Sequence, residues 1–384
     1  MSFWQQILES KQIFLKIVDK FRLNSIKGFL SLFLVGVSLS IAIAACSGNG
    51  ANNSSTSTDA GGSAASPVAA NKPDVRLTLV SFAVTKAAHD AIIPKFVEQW
   101  KKEHNQNVSF DQSYGGSGSQ TRAVIDGLEA DVVHLALALD TQRIEQAGLI
   151  APGWEKEVPD NGIVSKSVTV LVTRPENPKG IKTWADLAKN GVSVITADPK
   201  TSGVARWNFL ALWNSAIKAG GNEAKARDFV TSVYRNVPIL TKDAREATDI
   251  FFKQGQGDVL INYENEVLLA QQKGVKASYI IPDVNISIDN PIAVVDKNVD
   301  KHGTRQAAEA FVKYLFTPEA QREFAKAGFR PVNKTVAQTK EFTSRYPQIK
   351  TLSTVQEFGG WDGVQKKFFA DGAIFDQVQA QIKR

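Results

Sequence analysis

The chain has 384 residues, 43% apolar and 22% charged, with one cysteine and a formal charge of +6. This composition excludes a disordered chain, a collagen-like repeat and a polytopic membrane protein, and the length suits two domains. One cysteine excludes an intramolecular disulfide and a cysteine-built metal cluster. The basic balance raises an acidic partner such as nucleic acid, which depends on where the charge sits.

It sits largely at the start. Residues 1–27 carry Lys11, Lys16, Lys20, Arg22 and Lys27 against Glu9 and Asp19, half of the whole excess. An uncharged apolar run follows from Gly28 to Ala45, ending Ile43-Ala44-Ala45-Cys46. A basic region, an apolar region and small residues before a cut site make a secretory signal over 1–45. Small residues before a lone Cys match a bacterial lipobox, which makes Cys46 the lipid attachment point. The competing reading is a transmembrane anchor with a chance Cys, for which the run is short of the roughly 20 residues needed. Residues 46–74, nearly all Ser, Gly, Ala, Asn and Thr, read as a flexible tether. No Lys/Arg block stands out beyond it, so nucleic acid is not expected as a partner.

The body alternates strand and helix patterns. A buried strand is expected at Leu77–Phe82 and an amphipathic helix at Lys86–Glu103, started or kinked by Pro94. Val108 and Phe110 mark a strand, Ser119–Leu128 a helix, and Asp131–Leu139 a long strand. Further strands are expected at Ser167–Thr173, Val192–Thr196, Val237–Leu240 and Asp258–Tyr263. Helices are expected near 203–219, 222–234 and 244–254. Pro291–Val295 reads as a strand opened by its proline, and a helix follows near 305–327. Such alternation argues for an α/β fold, with two sheets in two lobes and ligands beyond the strand ends near helix N-termini.

Three loops lie between a strand and a helix: Ser113–Ser119, Thr201-Ser202-Gly203, and Thr241–Glu246, the last with capping-box-like spacing of Asp243 and Glu246. Helix N-termini offer unpaired N–H groups and a positive dipole end, so several converging would bind an oxyanion without Lys or Arg. Each loop taken singly is also an ordinary turn. Gly115–Ser119 fails as a G-x-S-x-G elbow, as a Walker A loop and as G-x-G-x-x-G. His89, His104, His134 and His302 have no metal-ligand spacing, and His134 reads as structural. Asp198 and Glu264 stand in suggestive places without forming an acid–base pair. No cofactor, metal or catalytic residue is expected.

At these loops the sequence strongly resembles the bacterial sulfate/thiosulfate-binding proteins of ABC importers. The resemblance is carried by DQSYGGSGSQTRAVIDGLEADVVHLALALD (111–140), NPKGIKTWADL (177–187), ADPKTSGVARWNFLALW (197–213), GDVLINYENEVLL (257–269) and FGGWDGVQKKFFADGAIFDQV (358–378), in collinear order across 75–384. It implies a type II periplasmic-binding-protein-like α/β fold, with two lobes of mixed, mainly parallel sheets and a hinge of crossover strands. Lobe I would comprise 75–168 and 285–330, lobe II 169–284, with a C-terminal helical segment, 331–384, packed on them. The crossovers would fall near 167–172 and 282–292.

The resemblance also implies a dehydrated oxyanion held mostly by backbone N–H groups. Lobe I would offer the Ala83 N–H and the Ser117 hydroxyl. Lobe II would offer Ser202 and the N–H groups of Gly203, Val204 and Ala244. Tyr263 stands where the family commonly has an indole donor, Ala83 where it usually has Asp, and Val204 where Gly is common. Arg206 and Arg245 would stand behind the site, or be plain salt bridges. The implied activity is high-affinity sulfate or thiosulfate receptor, not enzyme, serving the membrane permease of an ABC importer. The protein would be a monomer, exported to the periplasm and tethered to the membrane through Cys46. Molybdate or tungstate receptors, a signalling sensor of the same fold, and a hydrolase using Ser117 remain as alternatives.

Overall fold

The computed structural model describes residues 73–382. Cys46, the signal segment and the tether up to residue 72 lie outside the described residues. Pro73 and Asp74, expected as tether, already join the body: the Gln106 amide donates to the Pro73 carbonyl at 2.7 Å, and Asn107 to the Asp74 carboxylate at 2.8 Å.

In the first lobe, strand β1 (Val75–Phe82) leads to helix α1 (Lys86–His104), strand β2 (Val108–Gly115), helix α2 (Ser117–Ile125), strand β3 (Val132–His134), helix α3 (Ala138–Gln146) and strand β4 (Ile163–Ser167). The second lobe holds strands β5 (Thr169–Thr173) and β6 (Val194–Ala197), helices α4 (Gly203–Lys218) and α5 (Glu223–Arg235), strand β7 (Leu240–Thr241), helix α6 (Ala244–Phe252), strand β8 (Val259–Tyr263), helix α7 (Glu264–Gln272) and strand β9 (Ser278–Ile280). Strands β10 (Val284–Ile286) and β11 (Ile288–Val294) return the chain to the first sheet, followed by helices α8 (Asp296–His302), α9 (Arg305–Tyr314) and α10 (Pro318–Lys326).

The sheets are ordered β2-β1-β3-β11-β4 and β7-β6-β8-β5-β9. Parallel pairing joins β1 to β2 and β3, and β6 to β7 and β8. The strands next to the crossings, β11 and β4 in one sheet and β5 and β9 in the other, pair antiparallel, so the sheets are evenly mixed rather than mainly parallel. Strands β5, β6 and β8 are buried throughout, as expected of strands covered on both faces. Helix α4 is buried nearly all round through Asn214, and the C-terminal helix Ile374–Ile382 packs on α5. The C-terminal segment is not wholly helical: Thr351–Ser353 forms a strand, β12, parallel to β10.

Several expected elements divide or shift. Ser167–Thr173 is two strands, because the chain passes from one sheet to the other at Val168. Ser287 marks the return passage. The Asn285 side chain ties the two passages together, accepting from the Thr169 N–H at 3.1 Å and donating to its carbonyl at 2.8 Å. Pro291 does not open β11; it lies inside it, where the register shifts, and a bulge tolerates the missing donor. Residues 305–327 form two helices, because Thr317 caps a new one and Pro318 occupies its first turn. Pro94 lies inside α1, which begins well before it at Lys86.

His89 and His134, far apart in sequence, meet in the core of the first lobe. His89 Nε2 lies 3.1 Å from His134 Nδ1, and His89 Nδ1 3.1 Å from the Tyr114 hydroxyl. Both residues are fully buried. Burial, reinforced by the Lys86 charge, pulls His89 down to about 3; burial and then the His89 charge lower His134. The folded state therefore excludes protons that the unfolded chain takes up below pH 6.5. Their contribution to stability is present above that pH and is lost as pH falls, by up to ~1.4 kcal/mol per pH unit per histidine. Urea unfolding at pH 7, 6 and 5 checks this: the midpoint should fall with acidification, and a flat profile would contradict it.

Candidate functional site

The end of β1, the β2–α2 junction, the start of α6 and the turn into α4 close on one small, tight cavity. Its walls are Phe82, Ala83, Val84, Gly115, Gly116, Ser117, Ala136, Ser202, Gly203, Val204, Asp243 and Ala244. Six of the expected site residues, Ala83, Ser117, Ser202, Gly203, Val204 and Ala244, are thus brought together from both lobes. Among the described residues, no Lys or Arg is on the wall.

The cavity is a meeting of helix starts. Helices α2, α4 and α6 begin at Ser117, Gly203 and Ala244, and the first N–H groups of a helix have no partner within it. The dipoles of all three add positive potential at the same place. Helix α2 begins two residues earlier than the hydrophobic pattern suggested, which puts Ser117 in its first turn. Ser202 precedes α4 without making a side-chain cap. The one carboxylate on the wall, Asp243, is engaged in capping: it accepts from the Glu246 N–H at 2.9 Å. Glu246 in turn accepts from the Lys242 N–H at 2.7 Å, one residue off a strict capping box.

Glycine is required where the lobes touch. A methyl on Gly203 would stand 2.6 Å from Ala136 Cβ and 2.7 Å from Leu137 Cδ2. One on Gly116 would stand 2.6 Å from the Thr201 carbonyl oxygen and 3.0 Å from that of Lys242.

The Ser117 hydroxyl departs from expectation. It donates its proton to Asp140 at 2.6 Å and accepts from the Ala136 N–H at 3.0 Å, so in this arrangement the proton is committed within the protein. Asp140, fully buried, also receives Arg206 Nη1 at 3.2 Å. Arg206 donates through Nε to the Pro199 carbonyl at 2.9 Å, so it links α3 of one lobe to the α4 turn of the other. Burial lowers the Arg206 pKa and Asp140 opposes that shift. Arg206 therefore stands behind the site as an ion pair. Arg245 likewise pairs with Glu266 at 2.8 Å, joining α6 to α7.

Tyr263 is fully buried but is not on the cavity wall. It lies edge-on to Phe82, and its hydroxyl has no hydrogen-bond partner. Burial pushes the phenol well above its ordinary pKa, with Asn290 opposing. Glu264 makes a bidentate pair with Arg330, at 2.7 and 3.0 Å, and Asp198 holds the turn before Ser202. Both are structural here. His134 supports the site from beneath: its carbonyl accepts the Ser81 hydroxyl at 2.7 Å and its ring lies edge-on to Phe82.

Asp140 was not legible. The run Asp131–Leu139 reads as one strand, yet the strand stops at His134 and α3 starts at Ala138. Only the acidic residue close behind that run hinted at a helix start.

Two mixed α/β sheets joined by crossing strands, with an anion-suited cavity where their helix N-termini meet, define a two-lobed binding protein of the type II periplasmic fold. Residues 77–330 match the family model described as bacterial extracellular solute-binding protein, and the chain belongs to that family. It is 57% identical over 356 residues to the sulfate-binding protein of Synechococcus elongatus, covering 93% of this chain and 97% of that one. It is 39% identical over 302 residues to the thiosulfate-binding protein of Pseudomonas aeruginosa, covering 78% and 90%. Among solved structures, the sulfate-binding protein SubI from Mycobacterium tuberculosis is 37% identical with a TM-score of 0.71, over 77% of this chain and 100% of that one.

Proposed function

We propose that this protein is an exported sulfate receptor that delivers its ligand to an ABC importer, binding by closure of the two lobes and performing no chemistry of its own. The observation that carries this reading is the cavity wall, which presents helix-start N–H groups and hydroxyls and whose one carboxylate is engaged in capping. A small, fully ionised tetrahedral anion offers only acceptors and meets such a wall without mismatch. Ala83, Gly203, Val204 and Ala244 would donate through the backbone and Ser202 through its hydroxyl. Ser117 would donate its backbone N–H, with its hydroxyl held by Asp140. Tyr263, buried behind Phe82, would act on the ligand only through the wall.

Thiosulfate shares this donor requirement and is the second ligand to test. Export through the signal over 1–45, attachment at Cys46, a tether to the body, and action as a monomer on the permease of an importer complete the reading. It is supported by the basic and apolar segments before Cys46 and by the family's extracellular character.

Equilibrium dialysis of the full chain with labelled sulfate tests the assignment. Ser202→Ala removes one hydroxyl from a charged ligand and should weaken binding roughly 10- to 100-fold. Binding of sulfate by neither the parent nor the variant would refute the function. Equal binding by both would remove Ser202 from the site.

A further inference from the structure

The turn that carries Ser202 into α4 is held from more sides than binding alone requires. Internally, the Asp198 carboxylate accepts from the Lys200 N–H at 2.8 Å, and its carbonyl accepts from the Ser202 N–H at 2.8 Å. Sideways, the Thr201 hydroxyl donates to the Lys242 carbonyl at 2.8 Å, next to the turn that opens α6. From the other lobe, Arg122 of α2 donates to the Lys200 carbonyl at 3.3 Å. On the outside, the Lys200 ammonium reaches the C-terminal segment at three points. These are Asp376 at 2.8 and 3.0 Å, the Phe369 carbonyl at 3.4 Å and Asp371 at 3.6 Å.

The same segment lies under the ion pair behind the cavity. The Arg206 guanidinium stands 5.7 Å from the Phe369 ring, and Trp361 is edge-on to Trp207 of α4 at 4.6 Å. The Asp376 carboxylate also accepts from the Gly372 N–H at 2.8 Å, which fixes it at the start of the C-terminal helix.

We propose that Lys200 is a positioning residue through which the C-terminal segment sets how long the closed site holds its anion. It touches no ligand. Its main chain receives the opposing lobe, and its ammonium anchors that same turn to Asp376, so slackening the anchor loosens the grip of Ser202, Gly203 and Val204 together. The assignment rests on the receptor reading above. A partly exposed ion pair is worth little in isolation; its leverage here comes from where it is attached.

The test is stopped-flow binding of sulfate to the full chain. Lys200→Met should raise the dissociation rate about fivefold and leave the association rate unchanged. Lys200→Arg should restore most of the loss. Asp376→Asn should raise the rate by less than Lys200→Met, because Lys200 keeps Asp371 and the Phe369 carbonyl, and combined with Lys200→Met it should add less than it does alone. Rising salt should speed dissociation from the parent more than from Lys200→Met. Hydrogen exchange of residues 198–204 without ligand provides a readout that does not depend on sulfate, and it should quicken in Lys200→Met. An unchanged dissociation rate, an additive double variant or unchanged exchange would overturn the proposal. Absence of sulfate binding by the parent, with the exchange difference present, would instead refute the receptor reading and leave the anchor standing.

Discussion

Gly116→Ala should weaken ligand binding on the order of 100-fold while leaving the unliganded protein as stable as the parent. Gly116 precedes α2 with φ −63° and ψ 132°, a conformation any residue adopts, so the new methyl costs the lobe no backbone strain. Its cost appears only across the cleft, where the methyl would stand 2.6 Å from the Thr201 carbonyl oxygen and 3.0 Å from that of Lys242. These obstacles are main-chain atoms in tied turns. Thr201 and Lys242 are bonded to one another, and Asp198 and Glu246 fix the backbone beside them. They cannot step aside as a side chain would, so the lobes must stand apart by a few tenths of an ångström or more.

Buried hydrogen bonds to an ion depend steeply on distance, and several donors from the second lobe would lengthen at once. The expected loss is on the order of 100-fold in affinity, from one to two charge-assisted bonds. Thermal unfolding without ligand should be unchanged, and titration with sulfate should show the loss. Affinity within threefold of the parent would mean that the turns yield and that the close fit at Gly116 does not control closure.

How much of this was legible in the sequence differs between backbone and side chains. The alternation of strands and helices, and the three turns that open α2, α4 and α6, followed from hydrophobic pattern, from Gly/Ser content at the first two turns and from the spacing of Asp243 and Glu246 at the third. Helix starts at strand ends are a local property. The breaks were not local. Val168 carries the chain between sheets, and nothing in Ser167–Thr173 separates a passage from one long apolar strand. The role of the Ser117 hydroxyl was hidden for the same reason. Its proton is taken by Asp140, whose burial and charge are balanced by Arg206 from the other lobe. That triangle exists only after both sheets are formed. The histidines, scattered along the chain, gave no hint that His89 and His134 would share a hydrogen bond.

The central claim is that the cavity discriminates by donor and acceptor matching rather than by net charge. Sulfate carries no proton near neutral pH and can accept at every oxygen. Phosphate at that pH keeps at least one proton, which needs an acceptor. Among the described residues of the wall, the only carboxylate is Asp243, engaged in capping Glu246. The phosphate proton would then be buried without a partner, or the ion would have to lose it first. A buried unmatched polar group costs about 1–3 kcal/mol, more beside a charge. A site built to match one set of hydrogen bonds rejects its near-isostere by several powers of ten.

Competing explanations predict otherwise. A site that merely collects negative charge with helix dipoles would bind sulfate and the doubly charged form of phosphate about equally and ignore where the protons lie. The decisive measurement is a calorimetric titration of the full chain at pH 7 with sulfate and with phosphate in turn. Sulfate should bind at least 100-fold more tightly than phosphate. Comparable affinities for the two would contradict it.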